Sequence, residues 1–258
     1  MKKILFTGAR SGIAKNVIEK IINSDYYIYI TVHTFEEERR VKEEYKKYKN
    51  IECFKLDITL DNDRKKLNDL NIDILVLNAA VGYGGSLIEI PIQKIKDNFE
   101  VNVFSNIELT QIVLKKMIKK REGKIIFISS IASVIPIEFI GSYCSSKSSF
   151  TMIAKVLKKE LDLLNTNIKI KLILPGIYKT GFNEFMLNDK DLSKSLFKNK
   201  KEDIEFKEYI LFNLLSKKDL NSISKKIVSA INSDNNKFVY SAPLSQKIFS
   251  KLYQTLKN

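Results

Sequence analysis

A single histidine and no tryptophan in 258 residues, with only two cysteines, four prolines and nine glycines, narrow the possible functions early. His33 alone argues against a histidine-based metal centre and against a Ser-His-Asp triad. Cys53 and Cys144 are too few for a disulfide framework and suit a reducing compartment. No run approaches the roughly 18 apolar residues that span a bilayer. The opening MKKILFTGARSG stops being apolar at Gly8, too early for a secretory leader, so a cytoplasmic location and no integral membrane association are expected. No internal repeat, low-complexity stretch or linker interrupts the chain, and one domain over 1–258 is expected.

Arginine is scarce as well. The formal net charge is +14, yet only five of the 44 basic residues are arginines, and the lysines alternate with acids in stretches such as EEERRVKEEYKKYKN. Readers of bases and phosphates exploit the arginine fork. The charge therefore reads as solvated surface, with no nucleic-acid partner. Salt-dependent binding would be the mark of the opposite case.

What is present alternates between two periods. KILFTG, YYIYITV, IECFKLD, IDILVLNAA, GKIIFISS and NIKIKLILPG read as strands rich in apolar and β-branched residues. Helical patterns lie between them, including one long helix opened by Pro91 and running over about 91–121. Near-continuous apolar strands separated by helices predict a doubly wound parallel sheet of the Rossmann type, an α/β fold covered on both faces. The segment 178–218 departs from this pattern. It follows a strand end, where open α/β sheets bind ligands, and predicts a substrate lid. The tail APLSQKIFSKLYQTLKN predicts an amphipathic helix over about 243–257. Its Ile248, Phe249, Leu252 and Leu256 are expected to pack on the domain or on a neighbouring subunit rather than lie on a membrane.

Two local patterns carry chemistry. TGARSGIA ends the first strand and opens a helix, with Gly8 and Gly12 spaced for a tight turn that a pyrophosphate can approach. GSYCSSKSSF places Tyr143 and Lys147 one helical turn apart, hence on one face. A phenol with a pKa of about 10 needs roughly 4 kcal/mol to titrate near neutrality. A full positive charge about 5 Å away contributes roughly 3 kcal/mol at an effective dielectric of about 20.

With these motifs the chain resembles the short-chain dehydrogenase/reductase family. TGARSGIA stands for its T-G-x-x-x-G-x-G with Ala14 in the last place, and LNAA (Leu77–Ala80) for its N-N-A-G. Y-x-x-x-K is Tyr143 and Lys147, the serine thirteen residues before the tyrosine is Ser130, the helix asparagine is Asn102, and P-G-x-x-x-T is Pro175–Thr180. The resemblance implies an NAD(P)-dependent oxidoreductase that interconverts a carbonyl and a secondary alcohol. Tyr143 would be the general acid/base, Lys147 would hold the nicotinamide ribose, Ser130 the substrate oxygen, and Asn102 a water of the proton path. Ser129 is the alternative to Ser130, since neighbouring strand residues face opposite sides. Cys144 is expected to be a packing residue rather than a nucleophile.

By the same resemblance, Gly8, Arg10, Ser11, Gly12, Ile13, Asp57, Ile58, Asn78, Ala79, Ala80, Tyr143, Lys147, Pro175, Gly176, Ile177 and Thr180 would line the dinucleotide, with Asp57 at the adenine. The acid that NAD-specific members place at the end of the second strand is missing near Val32. His33, Thr34 and Arg10 stand nearby, so NADP(H) is favoured over NAD(H), unless Glu36 or Glu37 folds back onto a ribose hydroxyl. A homodimer or homotetramer built on 91–121 and 142–164 is expected. A catalytically silent dinucleotide-binding sensor or scaffold is the competing reading. The sugar-nucleotide epimerases share Y-x-x-x-K but carry a different glycine turn.

Overall fold

The structure, a computed structural model, describes residues 1–256. Its strands are β1 (Lys2–Phe6), β2 (Tyr26–Val32), β3 (Ile51–Lys55), β4 (Ile74–Leu77), β5 (Glu122–Ile128), β6 (Asn167–Pro175) and β7 (Val239–Ala242). They form one sheet in the order β3-β2-β1-β4-β5-β6-β7, and every pairing is parallel. The order reverses beside β1, so a crevice opens between β1 and β4 at their carboxyl ends, where doubly wound sheets take their ligands.

Side chains alternate across each strand and separate two cores. Ile4, Phe6, Ile28, Ile30, Val76, Ile126 and Ile173 face one side. There they meet α1 (Gly12–Ile21), α2 (Phe35–Tyr45) and α9 (Asn221–Asn232), through residues such as Val17, Val41 and Ile227. Leu5, Leu75, Leu77, Ile125, Phe127 and Leu172 face the other side. They pack on α5 (Asn106–Lys120) and α6 (Gly141–Leu163), with the rings of Phe127 and Phe150 4.9 Å apart. The short α3 (Asp61–Lys65) completes the β3–β4 connection. At the opposite edge from the crevice, the buried Lys124 and Lys171 donate to carbonyls of Ile231, Ser233, Asn235 and Lys237, tying the α9–β7 connection beneath the sheet.

The helix expected over 91–121 is broken into α4 (Ile92–Phe99), a π turn at Glu100–Ser105, and α5. Asn102 explains the break. Its side chain is fully buried and holds both the N–H and the carbonyl of Val81, which draws this turn towards the end of β4. Such single π turns are frequent at functional sites. Helix α6 begins at Gly141, and Ser142 does not cap it; its hydroxyl accepts from Asn98 Nδ2 at 2.6 Å.

The segment after β6 holds α7 (Phe182–Asn188), α8 (Lys201–Glu208) and a π turn at Tyr209–Leu214. Its two ends meet in a parallel bridge between Tyr178 and Lys217. It rests on α4 through Lys94–Asp189 at 2.8 Å, on the loop after β4 through Glu89 with Ser195 and Leu196, and on the loop after β5 through the Phe139–Phe197 ring contact. A Cβ on Gly84 would lie 2.1 Å from the carbonyl oxygen of Met186, which shows how closely the two backbones approach.

Helix α10 (Leu244–Leu256) does not turn its apolar residues onto the domain. Gln246 and Ser250 form its buried face, whereas Leu244, Ile248, Phe249 and Leu252 are exposed. Gln246 explains the orientation: its Oε1 accepts from Ile177 N at 2.7 Å and its Nε2 donates to Leu215 O at 2.7 Å, so the amide is the group that anchors the helix. Residue 257 of the expected helix lies outside the described residues, and the Leu256 side chain is likewise not described.

Candidate active site

The glycine turn joins β1 to α1. Gly8 and Gly12 have φ of +62° and +63°, a conformation that L side chains rarely adopt. A Cβ on Gly8 would also lie 2.9 Å from Ala79 Cα. Ser11 precedes the helix without a side-chain cap, which leaves the first-turn N–H groups of α1 directed at the crevice. This is a cradle fit for a pyrophosphate. Ala14, in the position of the family's last glycine, is buried in the core against the sheet, so alanine fits there.

Polar pins fix the crevice walls. Thr7 Oγ1 accepts from the N–H groups of Asn78 and Ala79, both at 2.9 Å, and Asn78 Nδ2 donates to the carbonyls of Thr7 and Gly8. Ala80 follows, partly exposed. Asn106 Nδ2 reaches Val101 O and Ala79 O from the opposite side. The loop after β6 descends from above. Gly176 N donates to Ala242 O, Ile177 is buried, and Thr180 stands over the glycine turn with its Cβ 3.6 Å from where a Gly12 Cβ would sit. Pro175 ends β6. Ile13 packs beneath the turn and Ile58 is buried beside β3.

At the far wall, Ser130 ends the β5 segment with its hydroxyl on the Tyr143 phenol. It also accepts from Ala132 N at 3.1 Å. Ser129 points the other way, into α6, bonding Lys147 O and Thr151. Ser130 is therefore the serine that faces the tyrosine. Lys147 Nζ lies 5.8 Å from the Tyr143 ring centroid and donates to Ile128 O at 3.1 Å. Asn102 lies close by: besides its two bonds to Val81 it donates to Ser146 Oγ at 2.9 Å. Asn102 positions the β4 loop against α6.

The family model for short chain dehydrogenase matches residues 2–191. The chain is 32% identical over 204 residues to a 3-oxoacyl-[acyl-carrier-protein] reductase of Buchnera aphidicola, covering 76% of this chain and 82% of the relative. The chain belongs to the short-chain dehydrogenase/reductase family. It is also 30% identical over 190 residues to an NADPH-dependent 3-dehydrocapnine reductase of Ornithobacterium rhinotracheale, covering 70% of this chain and 66% of that one. A short-chain dehydrogenase/reductase of Burkholderia phymatum, solved in complex with NAD, superposes with a TM-score of 0.83 at 17% identity, over 99% of this chain and 94% of the other, and so shares the fold. As a short-chain dehydrogenase/reductase the protein is an NAD(P)-dependent oxidoreductase acting on CH–OH groups.

The electrostatics of this short-chain dehydrogenase/reductase site differ from the sequence expectation. Burial pushes the Tyr143 phenol above its ordinary pKa; the Ser130 hydrogen bond pulls the other way and Cys144 adds a smaller upward push. Burial also lowers the Lys147 ammonium to about 7. The simple estimate assigned Lys147 a full charge, but the apolar surroundings that would strengthen its field also discharge it. The phenol is thus not brought to neutrality by the lysine alone. Cys144 is buried with its thiol pushed up, and Cys53 is raised by burial to about 12, so both behave as packing residues.

The adenosine end also departs from expectation. His33 Nε2 lies 3.1 Å from Asp57 Oδ2, while Asp57 Oδ1 accepts twice from Thr59. Burial raises the Asp57 carboxyl, but Thr59 and His33 outweigh it and hold it below its ordinary pKa. His33 and Asp57 are therefore paired with each other. Glu37, three residues after the N-cap Thr34, closes a capping box and accepts from His33 N at 2.9 Å and Thr34 N at 3.3 Å. Its other oxygen lies 2.8 Å from Arg10 Nη1. The T-x-x-E capping signature was the sequence signal for this contact.

Above Tyr143 the segment after β6 supplies an apolar ceiling. Met186 and Phe212 are buried with Tyr143, Ile131 and Ile177 in one cluster, and the Phe182 ring lies 5.5 Å from that of Tyr143. Met186, Phe212 and the loop anchor Gln246 are not among the residues expected from the sequence, because only the folded segment after β6 and α10 bring them here.

The discharge of Lys147 has a measurable sign. The unfolded chain keeps this proton up to about pH 10.4, whereas the folded protein releases it from about 7, so stability contributed at this position rises with pH across that window. Without added dinucleotide, Lys147→Met is expected to melt higher than the parent at pH 7, with the gap closing towards pH 10. Melting curves across that range test it, and a constant gap would show that burial of the charge is not the cause.

Proposed function

We propose that the protein is an NADP(H)-dependent reductase that interconverts an apolar ketone and its secondary alcohol. The observation carrying this reading is the convergence of Ser130, Tyr143 and Lys147 beneath the apolar lid. When bound, the dinucleotide supplies the hydride. Ser130 donates to the substrate oxygen and stabilises its growing negative charge, while the Tyr143 hydroxyl delivers the proton. Lys147 gains ribose hydroxyls as partners, which favours its charged form and lowers the phenol pKa in turn. The lid excludes water from this exchange. The two relatives, named as reductases of a 3-oxoacyl group and of 3-dehydrocapnine, support a ketone substrate. Tyr143→Phe is expected to cut ketone turnover by about a hundredfold or more while NADPH still binds. Unchanged turnover would move the proton-donor role elsewhere, and absent turnover in the parent with intact NADPH binding would favour the silent sensor or scaffold.

NADP(H) is supported by Arg10 at the end of the crevice, by the absence of an acid at Val32, and by the NADPH dependence named for one relative. Glu37 moderates the preference, because its carboxylate already occupies the amides and the guanidinium that a 2′-phosphate would use. Glu37→Gln should tighten NADPH several-fold and leave NADH nearly unchanged in a fluorescence titration. Marked loss of NADH binding would instead make Glu37 the ribose-hydroxyl acceptor and favour NAD(H).

The protein is read as a homo-oligomer built on 91–121 and α6, where Phe104 of the π turn and Met152, Val156 and Leu163 of α6 are exposed and apolar. Sedimentation should show a dimer or larger, and Met152→Lys with Val156→Lys should shift it to monomer. Its two free, buried cysteines fit a reducing cytoplasm.

A further inference from the structure

Helix α10 is inverted relative to an ordinary surface helix. Its buried face is Gln246 and Ser250, each 8% exposed, while Leu244 is 68%, Ile248 56%, Phe249 59% and Leu252 58% exposed. Leu244, Ile248 and Leu252 follow at intervals of four and form one stripe. Lys247 and Lys251, one turn apart, run along one flank of it. Gln246 fastens the helix to Leu215 O, and Leu215 is itself exposed, with Lys217 and Lys218 just beyond. The nearest acid in that stretch, Asp219, is turned to Asn221 N at 2.9 Å.

We infer that this face docks on an anionic lipid surface, with the stripe entering the interface and the lysines meeting headgroup charge. Charge decides the occupant. From Asn235 to Asn258 the chain has four lysines and no acidic residue. Two copies of α10 paired about a two-fold axis would set lysine against lysine with no acid on either helix. An anionic surface satisfies both the apolar stripe and its basic flank, since lysine stems lie along apolar groups while their ammoniums reach outward. The inference rests on the outer face of α10 alone and does not depend on the proposed reductase chemistry.

The test is co-sedimentation of the full chain with phosphatidylcholine vesicles, with and without about a third phosphatidylglycerol. Binding to the anionic vesicles only, weakening as salt is raised, is expected. Ile248→Ser with Leu252→Ser should lower it about tenfold, and Lys247→Gln with Lys251→Gln should remove most of its salt dependence. Both pairs lie on the exposed face, so unchanged circular dichroism and NADPH titration would establish that the variants are folded. Three results overturn the inference: no binding to anionic vesicles, binding that both variants leave intact, or an oligomer that the Ile248/Leu252 variant dissociates without any vesicle binding. The second would assign the effect to diffuse net charge and the third to a second copy of the chain.

Discussion

The site is organised around a buried amine with one hydrogen-bond partner among the described residues. Lys147 is 3% exposed, its Nζ meets Ile128 O, and its position is set from behind by Ser129, which bonds its carbonyl. A buried lysine that lacks partners discharges, and one that gains them recovers its charge. On the reading proposed above, its charge therefore follows occupancy of the crevice. The phenol shares that environment, so the acid/base pair is tuned by what binds rather than by the two side chains alone.

Holding that pair in place is a relay of small polar residues. Thr7 and Asn78 lock β1 to the end of β4, Asn106 pins Ala79, and Asn102 links the same loop to Ser146 on α6. The Nδ2 groups of Asn78, Asn102 and Asn106 each donate to a backbone carbonyl at about 3 Å, which helps irregular chain run through the centre of the molecule. The π turn at Glu100–Ser105 belongs to this relay: a regular helix would not present Asn102 to both groups of Val81.

Much of this was legible in the chain because the signals are local and periodic. Tyr143 and Lys147 share a face because the helical period requires it, and the strands were readable from near-continuous runs such as ILVL. Ser130 rather than Ser129 followed from spacing to the tyrosine, and the strand alternation agrees with it. What was not legible depends on competition between neighbours. The charge on Lys147 is set by how deeply the pair is enclosed, which spacing does not encode. Arg10 looked free for a phosphate until Glu37 was placed beside it. The apolar stripe of α10 was visible as a period, but a period gives only the contrast between two faces of a helix. Which face turns inward was decided by Gln246 finding Ile177 and Leu215.

The segment after β6 leaves and rejoins the body at one place, the bridge between Tyr178 and Lys217, reinforced by Lys179 N to Lys217 O and Lys217 N to Ile177 O. A loop closed at its neck can change in length and content at small entropic cost to the remainder. On the reading proposed above, the residues that carry the chemistry lie just after β5 and on α6, outside that neck. Lengthening or shortening the segment beyond Thr180 would thus leave the frame around Ser130, Tyr143 and Lys147 in place.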